Sequence, residues 1–211
     1  MTRATPEDRR LYIHSHFAWA AAFWGSARVA EQDGNFLLAP IGYYYSAFHS
    51  GFAAVCTNLD IPNESLKRMG HSQLKEYLEP IFPADAMISY LYLQDIREGI
   101  NYLGVETPEQ RVAVVRGHDF YFGSAPYFKC ISNCREHSVR FLRHAQYVIS
   151  IFGRSKAINY PDLNSEWWVQ EFLGEDLFRC VIPGERNGQR ALKLAFATEL
   201  PSLLADTEHG N

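Results

Sequence analysis

The chain lacks the glycine-rich signatures that cradle phosphates: neither GxxxxGK[ST] nor a GxGxxG after a strand occurs, and HExxH and GxSxG are missing as well. Readings as a P-loop NTPase, a Rossmann dehydrogenase, a zincin or an α/β-hydrolase therefore have no point of entry. Cysteine is scarce. Cys56, Cys130, Cys134 and Cys180 are too few to staple 211 residues, which predicts a fold held by its core in a reducing, cytoplasmic setting. Apolar runs are broken by Arg, His or Gly well short of the ~20 residues a membrane helix needs. The opening MTRATPEDRR is charged where a secretory leader would turn apolar. A positive excess is missing too. A formal charge of -4 and a pI near 6.1 argue against a general nucleic-acid coat protein.

What the chain has is apolar and aromatic material, 47% and 14% of its residues, enough for a sizeable core. Its patterning is helical. Thr5-Pro6-Glu7-Asp8 is a helix start, and a helix of roughly 25 residues follows to Asp33-Gly34, with Ile13, Phe17, Ala20 and Trp24 on one stripe. A second helix over 40–59 carries Tyr44, Phe48, Gly51, Val55 and Leu59, with Tyr45, His49, Phe52 and Cys56 beside them. Ile61-Pro62-Asn63 breaks it, and a polar loop is predicted to His71. Ser72 then caps a short helix that ends at Phe82-Pro83. Another helix is expected over 84–98. Thr107-Pro108-Glu109-Gln110 is again an N-terminal signature, opening a segment through Arg116, and a final long helix runs from about Ser124 to Phe152.

The pattern changes after Gly153. Asn187-Gly188 sits between FRCVI and ALKLAF, the signal of a β-hairpin. The expected architecture is mainly α: a helical bundle over 1–158 and a small C-terminal β-containing extension over 159–211 that ends in a frayed tail.

The order of these pieces resembles the HEPN superfamily. It is carried by the first long helix, by YYYSAFHSGF at 43–52, by the loop ending at His71, by Arg97-Glu98-Gly99-Ile100-Asn101-Tyr102 and by the last long helix. The resemblance covers about residues 9–152 and implies an antiparallel bundle of two long helices against a second pair. It also implies a metal-independent endoribonuclease or toxin component of a prokaryotic conflict or defence system, acting as a homodimer or with a system partner. The alternative is a non-catalytic HEPN-like module that binds a nucleotide or a partner protein.

Active members of that family carry an Arg, four to six intervening residues and then a His. Arg111 and His118 have six residues between them, with Arg116 adjacent, and Arg9 and His14 also meet the spacing. The family's usual polar residue after the Arg is Val112 here. In this scheme Arg111 and Arg116 clamp phosphate while His118 exchanges the proton of the 2′-hydroxyl or the leaving oxygen. His49, His71 and Arg97 are candidate binding residues beside this pair. A further phosphate-binding face is the run from Lys129 to Lys156, which includes Arg140 and Arg143 and has six basic residues against Glu136. Cys130, Cys134 and His137 share a helix face, but without a CxxC knuckle the line predicts core packing and no metal site. No cofactor is expected.

Overall fold

The computed structural model describes residues 4–35, 37–102, 112–115, 118–121, 125–156 and 199–205. Seven helices and one short hairpin account for almost all of them. They are α1 (Pro6–Gln32), α2 (Leu38–Val55), α3 (Asn63–Lys67), α4 (His71–Leu78), α5 (Ala84–Tyr102), β1 (Val112–Val115), β2 (His118–Tyr121), α6 (Ala125–Lys156) and α7 (Glu199–Ala205).

The start of α1 is fixed locally. Thr5 Oγ1 accepts from the Asp8 N–H at 3.2 Å while the Asp8 carboxylate accepts from the Thr5 N–H at 2.9 Å, a reciprocal capping box. Gly34 stops the helix with a φ of 75°, a left-handed conformation glycine adopts without strain. The chain then reverses into α2, which lies antiparallel on α1. Gly42 makes their close approach possible, since a Cβ there would stand 2.8 Å from Ala27 Cβ.

Helix α2 is the hub, packing on α1, α4, α5 and α6, and α5 packs antiparallel on α6. Trp24, Tyr43, Tyr44, Tyr90, Phe17 and Phe141 fill the shared core. At its C-terminal end α2 carries no cation of its own. Arg9 of α1, fully buried, supplies one, donating to the Ile61 carbonyl and facing the Cys56 thiol, where it offsets the negative end of the helix dipole. Burial pushes that thiol up to about 12.

At the opposite end of α1, Glu31 gathers three partners. It accepts from the Tyr43 hydroxyl, pairs with Arg135 of α6 at 2.9 Å and with Arg28 at 3.2 Å, and Arg28 continues to Glu199 of α7 at 2.7 Å. Burial opposes the charge on Arg28, but Glu199 and Glu31 outweigh it and raise its pKa. Helix α7 also buries Leu200 and Leu204 and receives a hydrogen bond from Arg143 at the Leu203 carbonyl. Its residues thus share the bundle's core.

Several sequence expectations need correction. The second helix ends at Val55, and Leu59 lies in a turn that Asn58 Oδ1 closes by accepting from the Asp60 N–H. The loop expected before His71 contains α3. Gly70, and not Ser72, is the N-cap of α4, and His71 is its first residue. Within the segment expected to be helical after Thr107-Pro108, the described residues Val112–Val115 form a strand, and β1 pairs antiparallel with β2. The β-branched valines of Val112-Ala113-Val114-Val115 suit a ladder, and they prevail over the upstream Pro signal. Helices α5 and α6 each run four residues past their expected ends. The boundary at 158/159 and the expected hairpin around Asn187-Gly188 lie outside the described residues. Glu199 and Leu200, placed in that extension, are helical.

Candidate functional site

The helical period sets His16, Trp19 and Phe23 on one stripe of α1, and α2 answers with Tyr45, Phe48, His49 and Phe52. The antiparallel register brings the two rows together. His16 stacks on Phe52 with ring centroids 3.9 Å apart, and His49 lies parallel to Phe23 at 5.3 Å. Trp19 and Tyr45 extend the same layer, 5.8 and 5.3 Å from Phe23. Most of these rings are half-buried, so the layer reaches the surface.

Polar groups are set into it. The Nδ1 atoms of His16 and His49 face each other at 2.9 Å, so one ring must carry the proton and the other accept it. Burial holds His16 down to about 4, and burial with His16 and His71 as neighbours holds His49 down to about 3. Both rings are neutral at pH 7.

Phe48 links this pair to a third histidine, its centroid 4.4 Å from that of His71. His71 Nδ1 meets the Tyr44 hydroxyl at 2.6 Å. Arg97 arrives from α5, with its guanidinium carbon 5.4 Å from the centre of the Tyr44 ring, and Tyr45 also engages it. Arg97 Nε has no hydrogen-bond partner. Burial, then the neighbouring Arg97 charge, lowers the His71 pKa, while Glu98 opposes them.

His49, His71 and Arg97 therefore converge, on four elements that also bring Tyr44, Tyr45 and His16. The basic residues of α6 do not join them. Arg143 is spent on the Leu203 carbonyl, Arg135 on Glu31, and Arg140 is exposed. His144 stands 3.6 Å from Asp85. Arg9 and His14 are buried in the core, and burial, with Arg10 nearby, holds His14 down to about 4. Cys130 and Cys134 are core residues, and His137 meets Ser89 at 3.0 Å. Among the described residues no group of three His, Cys, Asp or Glu could hold a metal ion, and no helix is long and apolar enough to cross a membrane.

Arg111 and Arg116 lie outside the described residues. His118 opens β2 opposite Val115, whereas Val112, the neighbour of Arg111, is opposite Tyr121. Three rungs of ladder, roughly 10 Å, separate those positions.

Sequence reasoning found Arg97, His49 and His71 but missed His16 and Tyr44 as members of the group. The available signal was His16-x-x-Trp19-x-x-x-Phe23, an aromatic and histidine stripe matching Tyr45-x-x-Phe48-His49-x-x-Phe52. No family model, curated protein or solved structure matches this chain.

Proposed function

We propose that this chain is a HEPN-like helical module that binds a nucleotide at the half-buried aromatic and histidine layer shared by α1, α2, α4 and α5. The observation that carries the reading is the convergence of Arg97 and His71 beside half-buried rings of Trp19, Phe23, Tyr45 and Phe48. A base or other flat ring gains by stacking on such a layer, and a guanidinium fork matches a phosphate group. Neutral His16 and His49 suit recognition better than acid catalysis, which needs a pKa near the working pH. Calorimetric titration with AMP, adenosine and ribose 5-phosphate tests this. AMP should bind more tightly than either fragment, and Arg97→Ala should weaken it about tenfold, about 1.4 kcal/mol, with unchanged circular dichroism. Equal or no binding of all three would remove the reading.

The endoribonuclease reading keeps one specific support: β1 packs on α5, the helix that carries Arg97, and hairpin pairing puts the backbone of His118 beside β1. In this reading Arg111 and His118 meet across two copies, acting on RNA within a conflict or defence system. Incubation of total RNA with the protein in EDTA should give products ending in a cyclic phosphate, and His118→Ala should slow cleavage by on the order of 10²-fold or more. Intact RNA with the wild-type protein, or undiminished cleavage by His118→Ala, would exclude that site.

A further inference from the structure

We infer that Tyr44 fixes His71 as a hydrogen-bond donor beside Arg97, and that these two donors together take the phosphate end of the ligand. The inference rests on the nucleotide reading of the aromatic and histidine layer and adds an orientation and a positioning residue to it.

Tyr44 is fully buried, and its hydroxyl lies 2.6 Å from His71 Nδ1. Burial raises the phenol's pKa, so it keeps its proton at neutral pH. A phenol is a better donor than a neutral imidazole N–H, and an imidazole lone pair is a better acceptor than a phenol oxygen. The proton between them therefore belongs to Tyr44, and His71 Nδ1 accepts. In a neutral imidazole the remaining proton must then sit on Nε2. That N–H has no partner among the described residues, and it is not sealed from solvent.

Arg97 lies close enough to act on His71 with its charge, resting on the Tyr44 ring and engaged by Tyr45, with Nε buried. One tyrosine thus orders both groups: its hydroxyl sets the tautomer of His71 and its ring face seats Arg97. An imidazole N–H and a guanidinium charge side by side suit an acceptor with several oxygens. Phosphate is such an acceptor, and a carbonyl or amine is not. The stacked layer of Trp19, Phe23 and His49 is reached from here through Phe48, so the base lies toward α1 and the phosphate toward α5.

The test uses the full chain, with histidine ¹⁵N spectra for the tautomer and calorimetry for affinity. In the free protein His71 should be the Nε2–H form, and AMP or inorganic phosphate should shift that resonance. Tyr44→Phe, which keeps the ring under Arg97, should mix the tautomers and weaken AMP about tenfold while leaving adenosine unchanged. His71→Phe should weaken AMP to the same extent and supplies a second variant should Tyr44→Phe fold poorly. An Nδ1–H tautomer, or equal loss of AMP and adenosine in both variants, would overturn the inference while nucleotide binding stood. Absence of nucleotide binding with a phosphate-induced shift at His71 would end the nucleotide reading and keep the anion site. No shift with either probe would end both.

Discussion

Glu31→Ala should lower the stability of the folded chain by about 3 kcal/mol, more than any surface substitution would. The side chain is only 16% exposed and is shared by Tyr43, Arg28 and Arg135, so its loss orphans a buried hydroxyl and leaves Arg135 without its carboxylate. Three helices meet at that carboxylate, and Arg28 relays it to α7 through Glu199. Glu31→Gln, which can still accept from Tyr43 but carries no charge, should lose roughly half as much. Urea unfolding checks both. Equal midpoints for Glu31→Ala and wild type would show that the cluster costs as much to desolvate as it returns.

Acid should unfold this protein early. His14, His16 and His49 are held in the folded chain at about 4, about 4 and about 3, against an ordinary value of 6.5, chiefly because burial disfavours their charged form. Their folded values are lowered, so between pH 6.5 and about 4 the unfolded chain binds protons that the folded chain refuses. Stability is full above 6.5 and falls as the pH drops through that window, by up to about 1.4 kcal/mol per pH unit for each histidine. The His16–His49 contact makes the two protonations interdependent, so the combined slope is smaller than three times that figure. Urea midpoints at pH 7, 6 and 5 should decline progressively, and His49→Phe should flatten the decline. A midpoint constant from pH 7 to 5 would show that these rings are not buried as described.

Legibility of the sequence followed the range of the interactions. The start of α1 could be read because Thr5, Pro6 and Asp8 act within one turn. Helix α3 could not, since its five residues Asn-Glu-Ser-Leu-Lys carry a single buried apolar side chain, Leu66. The strand Val112–Val115 was hidden by the Pro108 signature upstream. Site residues divided in the same way. His49 and Arg97 stood out by type, whereas His16 became part of the group only through the antiparallel register of α1 on α2, 33 positions apart in sequence. Arg143 looked like a free cation in a basic run and is spent on the carbonyl of Leu203, a partner from the far end of the chain that no local pattern announces.

The proposed nucleotide site is tested most directly by a crystal structure of the full chain with AMP bound. The account predicts a phosphate oxygen within about 3 Å of His71 Nε2 and another on Arg97, with the base against Trp19, Phe23 or Tyr45. AMP seated elsewhere on the molecule, or bound with its phosphate turned away from Arg97, would contradict it.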